Sequence, residues 1–574
     1  MKKLLLINIL FFTFFFSFAQ EEKNNSVSQN GMNVNSAIPF TLIGTTHYDL
    51  QSYGSVRKQI YSYPNGSIGA VFNYCSSSIF DSIQTAYNFF NGTVWIGQIS
   101  SGSTSPFGNI DRLSNSTEVL LSYDSSTASG LRIDSSSIAG SNIWAGILLP
   151  PEPNGHQCGW PHMAVGAANG MSVHVISLTE PVSFGGFPYN GVDGMLTYSR
   201  SDDGGATWNI VHETLPGWDS LITKRMYPDQ YAIDAKGNIV TIVAGGKTND
   251  WVIFKSVDNG TTWTMTIIKP FPIPVYNEFT MTTDTNSNGT ADTLLVPDGS
   301  MAVLIDNLGI AHCWSGDLGI VDHTPAAGFQ YAYHHSSGLN YWNENMGSAL
   351  PVVITPPVNI LNEFAEYGVG EASMPSAGMD ANNRIFVCYS SIVDGTSNGG
   401  NPDQAYRNIA VMATDNGIWW SPPAFLAPTP FDEQVFPSMA RDVNSTIKLI
   451  FQQDAEPGMA AWGDLDLFQA NSIYYLEFAD SVILTGIPPV AGIKNEINIY
   501  PNPFTESTQL SFNNAQHNLI CINLLDISGR LIKAYITTGS KFLLSTSGIE
   551  KGIYVLHLIN SSTSEMQVVK LVKD

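Results

Sequence analysis

The chain has 574 residues, with 25 Lys or Arg against 49 Asp or Glu and a formal net charge of −24. That acidity argues against nucleic acid and anionic membrane surfaces as partners. Only 13% of residues are charged, 11% are aromatic and 50 are Gly, a mixture that suits a strand-and-turn protein of more than one domain. Residues 1–19 read as a secretory signal: Lys2-Lys3, an apolar run from Leu4 to Phe18, and Ser17-Phe18-Ala19 before Gln20. No later segment has about 18 uninterrupted apolar residues, so no transmembrane segment is expected. The cysteines Cys75, Cys158, Cys313, Cys388 and Cys521 form no metal-ligand or disulfide-rich pattern. Cys313 and Cys388 sit in strand-like runs and read as buried thiols; a Cys75–Cys158 or Cys313–Cys388 bridge stays open.

Residues 20–37 are polar and read as a flexible lead, and a large domain is expected over 38–485. Within it one segment returns six times as a strand, a Gly or Asn turn and a second strand, which is a hairpin pattern. The copies begin at Val56, Trp160-Pro161, Tyr227-Pro228, Val296-Pro297, Met374-Pro375 and Phe436-Pro437. The five that carry Pro are spaced 67, 69, 78 and 62 residues apart. A hairpin cannot bury its apolar face alone, so repeats of this length imply stacked units. Pro is tolerated at the start of an inner strand, where the chain need not donate to the ladder.

A dense turn punctuates three of these units. Ser201-Asp202-Asp203-Gly204-Gly205-Ala206-Thr207-Trp208 and Ser256-Val257-Asp258-Asn259-Gly260-Thr261-Thr262-Trp263 both read S-x-D-x-G-x-T-W, and Thr414-Asp415-Asn416-Gly417 through Trp420 is a decayed copy. Such a turn needs a carboxylate to take backbone N–H groups, a Gly to visit φ > 0 and an aromatic ring to cover it. The pattern resembles the Asp-box of sialidase-like β-propellers. The resemblance implies an all-β chain with a six-bladed propeller. It also makes Ser201, Asp203, Gly205, Thr207, Trp208, Ser256, Asp258, Gly260, Thr262, Trp263, Asp415, Gly417 and Trp420 hairpin staples, away from the ligand face.

Residues 486–493 form a Pro-rich linker, and a second module is expected over 494–574. It opens with Tyr500-Pro501-Asn502-Pro503 and continues through Asp526-Ile527-Ser528-Gly529-Arg530 and Gly552-Ile553-Tyr554 to Lys570-Leu571-Val572-Lys573. Its alternation predicts a small Ig-like sandwich of about seven short strands. The module closely resembles the C-terminal sorting domain of type IX secretion cargo in Bacteroidetes, with Pro501, Asn502, Pro503, Gly529, Gly552, Tyr554 and Lys570 as motif positions. The resemblance implies the secretion machinery as a partner and an extracellular or cell-surface destination.

Two regions could carry chemistry. Asp284-Thr285-Asn286-Ser287-Asn288-Gly289-Thr290-Ala291-Asp292 spaces side-chain oxygens for one hard cation; Asp284, Asn286, Asn288 and Asp292 are the candidate ligands and calcium the candidate cofactor. The loops that lead into the innermost strands are the other region, since a propeller's ligand face is built there. They offer Arg57 and Lys58; His156, Gln157, Trp160 and His162; Lys224, Arg225, Tyr227, Asp229 and Gln230. They continue with Tyr276, Asn277 and Glu278; Glu371 and Ser373; Asp432, Glu433 and Gln434. Arg57, Arg225, Tyr227, Asp229, Glu371 and Glu433 are the catalytic candidates, and Trp160, His162, Gln230 and Glu278 the ligand-binding ones. Sialidase activity itself is not expected, because the R-I-P motif of that family is replaced here by Arg57-Lys58-Gln59. His334-His335 reads as a surface loop. The expected function is a non-catalytic binding or adhesion module for a glycan or protein partner. The alternative is a glycoside hydrolase or polysaccharide lyase with its site in the central pocket.

Overall fold

The computed structural model describes residues 32–33, 38–100, 105–324, 328–332, 338–355, 363–364, 367–400, 403–415, 417–427, 430–462, 466, 468–484, 498–512, 514, 518, 520–526, 531–545, 549–560 and 566–573. The expected signal at 1–19, most of the expected lead at 20–37, the expected linker at 486–493, His334-His335, Asn416 and Gly529 lie outside them.

Among the described residues, 40–479 form seven antiparallel sheets of four or more strands, six of them with four strands laid side by side in chain order, and one short parallel pair, Glu363–Phe364 with Gln404–Ala405. The first holds Ile60–Ser62, Ile68–Tyr74, Gln84–Phe90 and Ile99–Ser100; the second Asn109–Arg112, Glu118–Tyr123, Leu131–Ser136 and Ala145–Ile147. The third holds Cys158–Gly166, Ser172–Thr179, Leu196–Ser201 and Ile210–Thr214; the fourth Tyr231–Lys236, Ile239–Gly246, Asn249–Ser256 and Thr264–Lys269. The fifth holds Leu294–Ile305, Ala311–Val321, Asn340–Asn343 and Val352–Val353, with Gln330–Ala332 beside its second strand. The sixth holds Ala372–Met379, Ile385–Ile392, Arg407–Thr414 and Ala424–Phe425, with Met32–Asn33 added in parallel at its edge. The seventh joins Glu433–Met439, Thr446–Asp454 and Asn471–Ala479 to an outer strand from the start of the domain, Phe40–Thr46.

The first strands of successive sheets touch one another in order, and Thr446–Asp454 of the seventh touches Ile60–Ser62 of the first, so the contacts run in a cycle. At its middle lies a cavity of about 80 Å³, lined by Lys58, Asn109, Met163, Ile233, Val303, Ala377 and Met439, one residue from each sheet or its lead-in. Apolar residues of neighbouring sheets interleave between them; Ile176 and Leu178 share a cluster with Tyr231, Ile242 and Phe254.

Seven sheets stand where six repeats were expected. The unit missed is the second, hidden in the 104-residue spacing between the repeat starts at Val56 and Trp160. Its first strand, Asn109-Ile110-Asp111-Arg112, has no Pro and is mostly polar, so it does not match the others. Those polar groups serve the neighbouring sheets: Asn109 donates to the Pro161 carbonyl at 2.8 Å, and Asp111 accepts from Val165 N at 3.0 Å and pairs with Lys58 at 2.6 Å.

Both intact S-x-D-x-G-x-T-W stretches join third and fourth strands and close with the same bonds. Ser201 Oγ donates to Asp203 at 2.8 Å and accepts from Gly205 N at 2.7 Å, while Thr207 N and Oγ1 each donate to Asp203 at 2.7 Å. Ser256, Asp258, Gly260 and Thr262 repeat the pattern at 2.7–2.8 Å. Gly260 has φ +77°, and a Cβ there would fall on the Tyr198 hydroxyl of the sheet before. Gly260→Ala is therefore expected to cost about 2–4 kcal/mol, from left-handed strain plus overpacking, as a lowered urea midpoint. In the third copy Gly417 keeps φ +70° against the Tyr341 hydroxyl, and Trp420 packs on Trp314 and Tyr341, but Asp415 is exposed.

Residues 498–573 form a three-stranded sheet (Asn498–Tyr500, Ser507–Ser511, Lys541–Ser545) and a four-stranded one (Leu531–Thr537, Ile520–Asp526, Gly552–Asn560, Met566–Lys573) around a shared core that includes Leu510, Leu544, Ile522, Leu556 and Leu571. The two ends of the motif meet here. The Asn502 amide donates to Lys570 O at 2.9 Å and accepts from Val572 N at 2.8 Å, and Tyr554 OH donates to Glu550 O at 2.8 Å. Cys75, Cys158, Cys313 and Cys388 are buried free thiols, so neither bridge left open by the sequence forms.

Candidate functional site

In an up-and-down sheet, loops that join strands two and three emerge at the same end as those that lead to the next sheet. The S-x-D-x-G-x-T-W turns lie at the opposite end. Across the loop-bearing end runs the segment 47–58, which links the seventh sheet to the first and meets all seven. Gln51 bonds Asn73 and Gln452, and Ser55 N donates to Asp229 O at 2.7 Å. Ser300 Oγ donates to Gly54 O at 3.0 Å, and Ser438 Oγ to Arg57 O at 3.0 Å. Its apolar residues Tyr48, Leu50 and Val56 share a cluster with Met374 and Phe436, while Tyr53 packs on Phe107 and Trp160. Phe107, Trp160, Met374 and Phe436 all take left-handed backbone (φ 67°, 50°, 55° and 55°), the last three at register breaks in the first strands. Such bulges re-aim a side chain, here onto the crossing segment.

The segment is anchored by a buried charge. Arg57 pairs with Asp229, both side chains 0% exposed, and the guanidinium also donates to Pro161 O at 3.2 Å and Gln51 O at 3.3 Å. His162 Nε2 lies 3.2 Å from the same carboxylate, and Ser52 Oγ and Tyr53 N donate to it at 3.1 and 2.9 Å. Burial pushes the Asp229 carboxyl up, but Arg57 and His162 outweigh it and hold the group below its usual range. Arg57, His162, Asp229, Gln230 and Trp160 were expected to line an open central pocket. They are instead buried under 47–58, and the small cavity beneath is far below the roughly 300–1,000 Å³ of ligand pockets.

Glu371 and Glu433 are also buried. Glu433 accepts from Arg407 N at 2.6 Å, and burial pushes its carboxyl up to about 8; burial likewise raises Asp49 to about 6. A raised folded value means stability that is complete below the ordinary 4.5 and lost as pH rises through about 8. His174 and His212 are lowered by burial to about 3 and about 4, so they cost stability only as pH falls below 6.5. Between pH 6.5 and 8.5 the melting temperature is expected to fall, and Glu433→Gln to remove much of that fall, a difference on the order of a few kcal/mol.

What stays open on this end is aromatic. Phe184 (45% exposed) and Trp462 (37%) flank Tyr53 at ring distances of 6.0 Å each. A Cβ at Gly368 would meet Trp462, Tyr331 OH and Lys247 Nζ, each at 3.3 Å. Tyr331 (38% exposed) continues to Phe329 at 5.6 Å, and Phe329 to Tyr227 at 5.9 Å. Arg225 lies over Tyr227 and Phe279 at 4.5 and 5.1 Å, and pairs with Glu278 at 2.7 Å and Asp193 at 3.4 Å. Tyr227 OH donates to both Glu278 oxygens at 2.6 and 2.7 Å. Local chemistry sets the ends of this row. Asp49 of the crossing segment caps the short turn Ala460–Trp462 through Ala460 N at 2.6 Å, and Phe184 closes a turn begun by Pro181.

The structure thus brings the catalytic candidates Arg225 and Tyr227 together with the ligand-binding candidate Glu278, and sets Tyr53, Phe184, Lys247, Phe329, Tyr331 and Trp462 on the same end. Those were missed because they come from loops between second and third strands or from the crossing segment, outside the repeat. Of the other candidates, Asp432 and Gln434 are bonded to Gln453, Ser373 to Asp298, Tyr276 to Asp322 and Lys224 to Ser220 O. His156 packs against Phe187 with ring centroids 4.0 Å apart, Gln157 donates towards Ser125 O at 3.4 Å, and Asn277 caps Phe279 N. In the 284–292 loop, Asp284 accepts from Asn286, Asn288 and Gly289 N, and Asp292 accepts from Thr285 N and the Asn286 amide. Among the described residues no three His, Cys, Asp or Glu groups gather to hold a metal.

Residues 498–574 match the family described as the secretion system C-terminal sorting domain. The chain is therefore exported by type IX secretion to the cell surface or extracellular space. Among the described residues no helix is long and apolar enough to cross a membrane. No curated protein sequence matches the chain. Among solved structures it is similar to a protein of unknown function from Dyadobacter fermentans (14% identity, 67% of this chain, 99% of that one, TM-score 0.35). It is also similar to PorZ, a surface component of the type IX secretion system of Porphyromonas gingivalis (11%, 94% and 61%, 0.31). A third is the GH93 α-L-arabinofuranosidase of Fusarium graminearum (12%, 66% and 94%, 0.34). The matched part spans about three fifths of PorZ.

Proposed function

We propose that the chain is an exported seven-bladed β-propeller that binds carbohydrate, without cleaving it, on the aromatic row of its loop-bearing end. The cyclic contacts of the seven sheets, and the sharing of the last sheet between the two ends of the domain, support the propeller. The repeated S-x-D-x-G-x-T-W turns support placing it with sialidase-like propellers.

The observation that carries the binding reading is the row Phe184–Tyr53–Trp462–Tyr331–Phe329–Tyr227, part-exposed and edged by hydroxyls and cations. Sugar rings offer C–H faces to stack on such a surface and hydroxyls to bond at its edge. Isolated exposed aromatics need no explanation, whereas a contiguous row on a soluble chain marks a binding site. The non-catalytic part rests on the carboxylates: Glu371 and Glu433 are buried, and Glu278 is held by Arg225 and Tyr227. Calcium at Asp284, Asn286, Asn288 and Asp292 is proposed on their donor pattern.

Full-length protein screened against a polysaccharide panel, with calcium or with chelator, tests these points. Retained and uncleaved polysaccharide is expected, with weaker retention or a lower melting temperature after chelation. Released sugar would overturn the non-catalytic reading, and retention by no member of the panel would overturn carbohydrate binding.

A further inference from the structure

Resting on the carbohydrate reading, we infer that Lys247 receives an anionic substituent of the bound sugar, a carboxylate or sulfate, in the notch between Trp462 and Tyr331. Lys247 sits on the two-residue turn between Ile239–Gly246 and Asn249–Ser256, with Gly245 and Gly246 at φ 112° and 136°. This tight turn holds the ammonium against the aromatic row. Its Nζ donates to Tyr331 OH at 3.1 Å and lies 4.9 Å from the ring centroid, yet the residue is only 5% exposed.

An ammonium carries three donors, and no carboxylate among the described residues comes within ion-pair distance of this one. The buried Asp298 carboxylate is engaged elsewhere: its oxygens accept from Ser300 N and Gly370 N at 2.9 Å each and from Ser373 Oγ at 2.5 Å. A nearly buried charge with one neutral acceptor is costly unless a partner completes it. Arg225, the other cation of the row, is already paired with Glu278 and Asp193, so Lys247 is the cation left to read charge. A sugar hydroxyl would leave the ammonium unbalanced, while a carboxylate or sulfate would supply charge-assisted bonds. The chain's charge of −24 repels polyanions over most of its surface, which confines such recognition to a local cation. Gly368 marks the gap: a side chain there would meet Trp462, Tyr331 and Lys247 at once.

The test compares the binding of full-length protein to dextran sulfate against dextran, and to polygalacturonate against its methyl ester. Wild type is expected to favour the charged member of at least one pair by about tenfold or more, as a charge-assisted bond provides; the pair that responds identifies sulfate or carboxylate. Lys247→Met should abolish that preference and leave the melting temperature equal or higher. Lys247→Arg should retain the preference, and Gly368→Ala should weaken binding to both members. Equal binding within both pairs, or a preference that survives Lys247→Met, would overturn the inference while leaving carbohydrate binding intact. So would a melting temperature several degrees lower in Lys247→Met, since the ammonium would then be an internal structural partner. Binding to none of the four would overturn both readings.

Discussion

Asp229→Ala is expected to destabilise the propeller by about 3–5 kcal/mol, because it strands the Arg57 guanidinium in the interior without its counter-charge. The same change removes the acceptor for Ser52 Oγ and Tyr53 N, so the crossing segment should loosen first. The expected signature is a lower urea midpoint together with faster amide exchange across 47–58 than across the sheets. A double variant, Asp229→Leu with Arg57→Met, removes both charges and should recover a large part of the loss. If Asp229→Ala were within about 1 kcal/mol of wild type, the network could not be what holds the segment down.

Trp462→Ala is expected to lower affinity for a retained polysaccharide by about thirtyfold, and Tyr331→Ala by a similar factor, as central aromatic contacts typically contribute about 2 kcal/mol. Both residues are more than a third exposed, so their loss should leave the melting temperature within a few degrees. Phe468→Ala, at a more exposed ring outside the row (57%), serves as the control and should bind normally. Loss of binding only in the Phe468 variant would move the site away from the row. Trp462 and Tyr331 touch a common point at Gly368, so their effects should not add.

How far the chain could be read in advance depended on the range of the interactions. Ser201 to Thr207 and Ser256 to Thr262 close their turns by bonds spanning no more than four residues, so residue type and spacing announced them. The Pro-bearing hairpins were equally visible, but the Pro does not open the first strand as expected: Pro161, Pro297, Pro375 and Pro437 stand at register breaks inside it, where the ladder is already interrupted, and Pro228 stands ahead of Tyr231–Lys236. The sorting module declared itself through short motifs, although the pairing of Asn502 with Lys570 and Val572 spans some 70 positions.

The sequence by itself therefore determined an all-β chain of repeated hairpins and an export module. Tertiary structure alone decided that there are seven sheets, since the second keeps polar first-strand residues that answer to Pro161, Val165 and Lys58 rather than to a repeat. It alone decided that Arg57, His162 and Asp229 form a buried anchor, because that network joins residues 67 to 172 positions apart. The aromatic row is likewise assembled from residues 53, 184, 227, 329, 331 and 462, of which only Tyr227 belongs to the repeat. Local hydrogen bonding leaves its mark on neighbouring residue types; contacts made by ring closure do not.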